Sequence, residues 1–324
     1  MGFAAERLEL VGTIVDDRYH VIRALGIGGT SVVFEATRIA DDLPVVIKVL
    51  RDAFMFHTEL VGRLRREAEV SRRVSHPGIA RVLAEGTTGD GSPYLVMERL
   101  DGECVARLLR RNGPLEPTAA AAITLRAAAV LHAAHVQGYV HRDVKPEHIV
   151  LSRTIDGFLD VRVLDFGVCS SRTASERERE GERGRVYGTP AYCSPEQALG
   201  RPEVDPRADV FGLGICLFEM LTGRAPFLGT NVSNLLRRII REDAPRVGLL
   251  RPDLDLRYDS VVARAMARNA DDRFASARAM ARALLPLTGS RRDVERDIAQ
   301  DLVLSPARPE LIPTVPAPAE QKVA

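Results

Sequence analysis

The chain has almost no net charge, +1 over 324 residues with 45 basic and 44 acidic side chains, so its overall balance gives no argument for a nucleic-acid or membrane-surface partner. Its four cysteines, Cys104, Cys169, Cys193 and Cys216, stand far apart and lack the short paired spacing of zinc sites, which fits a reduced, cytoplasmic setting. The opening Met1-Gly2-Phe3-Ala4-Ala5-Glu6 has no basic-then-apolar pattern of a signal peptide, and position 6 is not the Ser or Thr of a myristoylation signal. The longest apolar stretch, 210–221, is broken by Glu219 and is too short to cross a bilayer. A soluble chain is expected. Its length allows two domains or one two-lobed unit with a sizeable core.

What is present is concentrated. Between the apolar pairs Tyr139-Val140 and Ile149-Val150 stand His141, Arg142, Asp143 and Lys145, four chemically active side chains within five positions. A general base must be held rigidly within reach of the proton it accepts, and a short loop pinned at both ends does that for Asp143. Further on, the strand-like run Val161-Arg162-Val163-Leu164 delivers a second carboxylate, Asp165, to the turn Phe166-Gly167. One aspartate can serve an acceptor hydroxyl and the other a metal.

Upstream, Tyr19 to Leu25 and Val32 to Ala36 are rich in branched apolar residues and flank Gly26-Ile27-Gly28-Gly29-Thr30-Ser31, the pattern of two strands joined by a tight loop. Glycines there let backbone N–H groups approach a phosphate, although a plain hairpin turn uses glycine as readily. In Pro44-Val45-Val46-Ile47-Lys48-Val49-Leu50 a lysine interrupts an apolar strand, so Lys48 either reaches solvent or needs a partner. Thr58 is placed to cap a helix whose positions Leu60, Leu64, Ala68 and Ser71 share one face, with Glu67 beside it. Pro93 to Glu98 begins as a strand that ends in a turn; Met97 in it also suits plain core filling.

Farther along, Pro117 to Gln137 is an alanine-rich helix stopped by Gly138. A second helix, apolar nearly all round, starts near Asp209 and ends at Gly223, with Asp209 read as its N-cap. Residues 172–185 hold five arginines, four glutamates and no large apolar side chain, so this stretch is not expected to pack. Ser290 with Asp293 forms a capping box for an amphipathic helix carrying Val294, Ile298 and Leu302, before prolines at 306, 309, 313, 316 and 318 end regular helix or central strand.

In order and spacing these pieces resemble the eukaryotic-type protein kinases: His-Arg-Asp followed by Lys-Pro, Asp-Phe-Gly, then Gly-Thr-Pro-Ala-Tyr-Cys and Ser-Pro-Glu in place of Ala-Pro-Glu. The likeness is strongest to bacterial serine/threonine members. It implies an α+β, two-lobed fold: a small β-rich lobe with one main helix over 18–97, a hinge over 98–103 and a larger, mostly α-helical lobe over 104–286. Residues 1–17 would be an extension, and 287–324 the amphipathic helix with its proline-rich tail.

The resemblance also implies roles. Leu25, Gly26, Gly28, Gly29, Ser31 and Val33 would cover the nucleotide, with Ser31 where the family has a third glycine. Lys48, paired with Glu67, would hold the α- and β-phosphates; Met97 would border the adenine pocket, and the backbone from Glu98 to Leu100 would bond the base. Asp143 would receive the substrate hydroxyl, Lys145 would neutralise the transferring group, and Gly188 with Thr189 would dock the substrate. Asp165 would bind Mg²⁺. Arg142, Glu196, Asp209 and Arg273 would be structural: Glu196 pairing with Arg273, and Asp209 accepting from the catalytic-loop backbone. Thr173 and Ser175 are candidate phosphosites whose phosphate Arg142 could pair.

ATP and Mg²⁺ are the implied cofactors, with Mn²⁺ as the other metal, and protein serine or threonine the implied acceptor. No nucleic-acid partner or membrane span is expected. One residue departs from the pattern. Where the family carries an asparagine for a second metal ion, this chain has His148. An imidazole there leaves three readings: an active kinase with altered metal use, a nucleotide-binding pseudokinase that signals by conformation, or a ring that packs on Asp143 and binds no metal.

Overall fold

The computed structural model describes residues 7–153, 159–171 and 183–290, together with the backbone of Ile312–Pro313. The described chain divides into two compact units, one from residues 7–73 and 80–100, the other from 74–79 and 101–290.

The first unit is an antiparallel sheet with one long helix. Strands β1 (Ile14–Val15), β2 (Tyr19–Ile27), β3 (Ser31–Arg38), β4 (Leu43–Leu50), β5 (Val82–Thr87) and β6 (Pro93–Glu98) lie in the order β1-β2-β3-β4-β6-β5, and α1 spans Thr58–Arg73. Side chains alternate across a strand, so Val45, Ile47 and Val49 enter one core with Val21, Phe34 and Tyr94, while Lys48 points to the other face. On that face Lys48 stands directly opposite Leu95, which packs with Leu60, Leu64 and Ala68 of α1. The strand period and the helix period thus bring Lys48 and Glu67 toward the same layer. Thr58 is the first residue of α1 rather than the residue before it.

Residues 7–17 belong to this unit. Arg7, 1% exposed, hydrogen-bonds Asp90 and Ser92 and pairs with Asp52, and Tyr94 donates to Asp16 at 2.7 Å. Ile312–Pro313 runs parallel to Gly26–Ile27.

The second unit is mostly helical: α2 (Val105–Asn112), α3 (Pro117–Val136), α4 (Pro195–Ala198), α5 (Arg207–Thr222), α6 (Val232–Arg241), α7 (Val247–Leu250), α8 (Leu256–Ala265) and α9 (Ala277–Leu284). A small sheet runs β10-β9-β7, from Leu159–Val163, Ile149–Arg153 and Gly102–Cys104, and β8 (Tyr139–Val140) pairs with β11 (Ser170–Ser171). Helix α5 is its axis. Val210, Leu213, Ile215, Cys216, Leu217, Phe218, Met220 and Leu221 are all at 0% exposure, as a helix apolar all round requires. A side chain at Gly214 would meet Met266 at 2.8 Å and Ala265 at 2.9 Å, so glycine lets α5 and α8 close together.

Helix α3 is long and apolar enough to cross a membrane by length and composition, yet 67% of its most apolar window is buried inside the protein. It packs on α5 and α9. The helix expected from Val294 to Leu302, the tail apart from Ile312–Pro313, and Thr173 and Ser175 lie outside the described residues.

Candidate active site

In the first unit β2 and β3 are joined through residues 28–30, with Gly28 N–H donating to the Ser31 carbonyl at 2.7 Å. A side chain at Gly26 would meet no atom within 4 Å, and its φ is not positive. Nothing among the described residues therefore demands glycine at that position, whereas close approach of a ligand would. Leu25, Gly28 and Gly29 are half-buried, Ser31 is buried, and Val33 pairs with both Gly26 and Lys48 across the sheet.

Lys48 donates from Nζ to Glu67 Oε2 at 2.9 Å, the side chains being 14% and 9% exposed. Met97 packs against the cluster formed by α1 and Leu95. Glu98 is bound at both ends to Arg81: its N–H donates to the Arg81 carbonyl at 2.9 Å and its carboxylate accepts from the Arg81 N–H at 2.8 Å. The Glu98 N–H is thus no donor for a base, which narrows the expectation for 98–100. Leu100 is half-buried just beyond the strand.

In the second unit Asp143 is held by both carboxylate oxygens. Oδ1 accepts from the Thr189 N–H at 2.7 Å, Oδ2 accepts from Lys145 Nζ at 2.9 Å, and the same ammonium donates to Thr189 Oγ1 at 2.7 Å. Burial would raise this carboxyl, but His148 and the Lys145 ammonium with its hydrogen bond outweigh it and hold Asp143 below the usual carboxylate range. Gly188 has φ +95°, and a side chain there would meet the Arg142 carbonyl at 2.5 Å. Only glycine lets the Thr189 strip lie this close to the loop.

The loop itself is strained and braced. Arg142 has φ +66° and Asp165 φ +61°, a region costly for non-glycine residues. Asp209 carries the bracing: Oδ2 accepts from the His141 N–H and Oδ1 from the Arg142 N–H, each at 2.8 Å. It is not a helix cap. Helix α5 begins at Arg207 with Pro206 before it, so Asp209 lies inside the first turn, 1% exposed, with its oxygens turned to the loop. Burial would raise its carboxyl, but the bond with His135 and the charges and N–H groups nearby keep it low. The Glu196–Arg273 pair is bidentate, with both bonds at 2.8 Å. Arg142 is buried, its Nη2 at 3.4 Å from the Pro202 carbonyl.

His148 Nδ1 lies 2.9 Å from the Asp143 carbonyl oxygen and 3.6 Å from Asp143 Oδ2, while Nε2 lies 3.5 Å from Asp165 Oδ2. Burial, aided by the Lys145 ammonium, pushes the imidazole down to about 4, so the ring is neutral near pH 7. Asp165, with a side chain 33% exposed, offers carboxylate oxygen, which suits a hard divalent ion. Among the described residues no three His, Cys, Asp or Glu side chains gather as a cage, so an ion at Asp165 would complete its shell with phosphate oxygens and water.

Two residues of the site, His135 and Gln197, escaped the sequence reading, and a third, His141, was named there without a role. His141 Nδ1 accepts from the Asp143 N–H at 3.2 Å, which leaves its Nε2–H to donate to the Leu164 carbonyl at 2.9 Å and ties the two loops together. His135, on α3, bonds Asp209 Oδ2 at 2.7 Å. Gln197 donates to the Arg142 carbonyl at 2.7 Å and to the Tyr187 carbonyl at 3.2 Å. Ser194 and Gln197 also form a capping box, a Ser-x-x-Gln signal readable in the sequence.

Comparison with known proteins agrees with this geometry. The family described as "Protein kinase domain" matches residues 19–285. A probable serine/threonine-protein kinase of Corynebacterium efficiens is 34% identical over 322 residues, covering 94% of this chain and 48% of that protein. The serine/threonine-protein kinase PknL of Mycobacterium tuberculosis is 36% identical over 277 residues, covering 86% and 67%. This chain thus spans about half the length of the first relative and two thirds of the second. The crystal structure of the Mycobacterium tuberculosis PknI kinase domain superposes with a TM-score of 0.65 at 30% identity, over 85% of this chain and 98% of that one.

Proposed function

The chain belongs to the protein kinase domain family, in its bacterial serine/threonine branch, and on that premise we propose that it transfers the γ-phosphoryl group of ATP to serine or threonine hydroxyls of proteins, its own included. The observation that carries this reading is the closed triangle of Asp143, Lys145 and Thr189. A carboxylate held by two donors is fixed in place, and its lowered pKa keeps it ionised, so that it can accept a hydrogen bond from the substrate hydroxyl and orient it.

Positioning and neutralisation are most of what phosphoryl transfer asks of a protein. Lys145 lies beside Asp143 to offset charge on the transferring group. Lys48, held by Glu67, is the ligand for the α- and β-phosphates, and the loop from Leu25 to Val33 covers them. Met97 and the backbone up to Leu100 receive the base. Asp165 would hold Mg²⁺, or Mn²⁺ in its place, which when bound neutralises phosphate charge. Thr173 and Ser175 are acceptors for self-phosphorylation, with Arg142 as the cation for their phosphates.

The relatives, named as serine/threonine-protein kinases, lend no support to a pseudokinase. All four cysteines are free and three are buried, which supports a reducing, cytoplasmic setting.

The test is transfer of labelled γ-phosphate from ATP to the protein and to a generic basic substrate. Asp143→Asn should reduce transfer by about 10²–10⁴-fold, the usual contribution of a positioned base. Saturable ATP binding with no transfer by the wild type, or full transfer by Asp143→Asn, would remove this reading.

A further inference from the structure

Residues 51–57 join β4 to α1, and this link grips more than the two elements it connects. At its start the Arg51 N–H donates to the Thr30 carbonyl at 3.0 Å and Arg51 Nη1 to the Gly29 carbonyl at 3.3 Å, which ties the link to the loop between β2 and β3. From there its backbone runs into the helix as consecutive turns. Phe54 N–H donates to the Arg51 carbonyl, Met55 to Asp52, His57 to Phe54, and Val61 of α1 to His57, at 2.8 to 3.3 Å. Phe54 packs with Leu50, Leu60, Leu64 and Ala68, in the layer where α1 lies on the sheet. Asp52, within the link, is anchored from outside it. Arg7 pairs with Asp52, and the same guanidinium donates to Ser92 and, at 2.6 Å, to Asp90 in the turn between β5 and β6. An exposed ion pair gains little because two long side chains must be ordered to make it, but Arg7 is 1% exposed and already ordered by three partners.

We propose that Arg7 is a positioning residue for the nucleotide phosphates: by fixing Asp52 it sets the link, and through the link both the glycine loop and α1, whose Glu67 holds Lys48. That the loop and Lys48 serve phosphates rests on the phosphoryl-transfer reading. Without the guanidinium the link is free to move, and it carries the loop and the helix with it. A shift of about 1 Å caused far from the chemistry can cost about 10²-fold in rate, because charged donors act only where they are aimed.

A non-hydrolysable ATP analogue with Mg²⁺ is the probe, its dissociation constant measured by calorimetry on the full chain, below the thermal midpoint of every variant. Arg7→Met and Asp52→Ala should each raise that constant about tenfold, within what a remote misplacement costs, and Arg7→Lys should raise it less than Arg7→Met. Asp90→Ala is the control. Its side chain is 51% exposed against 53% for Asp52, and it too loses an Arg7 bond, but it lies outside the link and also accepts from Thr88 and Ser92. It should lower the thermal midpoint at least as far as Asp52→Ala while binding the analogue within about twofold of wild type, the scatter of independent sites. An Arg7→Met chain that unfolds earlier yet binds as tightly as wild type, or an Asp90→Ala chain that binds as weakly as Asp52→Ala, overturns the assignment. No turnover is needed. A chain that shows the expected pattern but transfers no phosphate keeps the assignment and loses the kinase reading; an active enzyme whose binding ignores Arg7→Met loses only the assignment.

Discussion

Lys48–Glu67 in the first unit and Arg273–Glu196 in the second are both ion pairs between residues distant in the chain, and the two are built differently. Lys48 donates to one Glu67 oxygen at 2.9 Å, with its own side chain 14% exposed and that of Glu67 9%. Arg273 meets Glu196 through two parallel 2.8 Å bonds and is 0% exposed. Its remaining N–H groups donate to the carbonyls of Ala267, Arg207 and Arg268, so all five guanidinium donors are consumed inside the protein. A fork spent in this way has nothing left for a ligand and serves the fold. An ammonium is a compact point charge that can share a carboxylate and a phosphate at once, which suits Lys48 to chemistry.

The contrast breaks if the two pairs answer mutation alike. The largest effect expected is on activity: Lys48→Met should reduce phosphate transfer by about 10²–10³-fold, as loss of one charge-stabilising donor does, while lowering stability by less than Arg273→Met, because it strands one buried carboxylate, Glu67, and no carbonyls. Arg273→Met should do the reverse in kind. It leaves Glu196 and three carbonyls without their partner, and denaturant unfolding should show a loss of about 3–5 kcal/mol, the cost of breaking a buried pair. Arg273→Lys keeps the charge but forfeits the fork, and should fall between wild type and Met, losing about 1–3 kcal/mol. The smallest effect calibrates the others: Glu59→Ala removes an i,i+4 pair with Arg63 on α1, whose side chains are 25% and 30% exposed, and should cost no more than about 0.5 kcal/mol. A stability loss in Lys48→Met as large as in Arg273→Met would end the distinction.

Asp209 shows how local reading goes astray. An aspartate near the start of an apolar run looks like a cap, and the helix does start there. Yet its oxygens serve His135, His141 and Arg142, residues 67 to 74 positions earlier in the chain. Gln197 is similar. Its local half, the capping box with Ser194, was readable; its reach to the Arg142 carbonyl, across 55 positions, was not. His148 was readable as a departure, but not which of its nitrogens faces Asp165.

The sequence by itself determined where the strands and buried helices run, because side-chain periods of 2 and 3.6 are local geometry. It also determined the order of the chemical groups, since Asp143, Lys145, Asp165 and Thr189 lie in stretches with recognisable neighbours. Only the tertiary structure decided what braces them: the Asp209 oxygens under a strained Arg142, the Gly188 backbone against the Arg142 carbonyl, the five spent donors of Arg273 and the His148 ring set against the Asp143 carbonyl. Such contacts join residues tens of positions apart. Their geometry depends on how whole elements pack, which no short window of sequence contains.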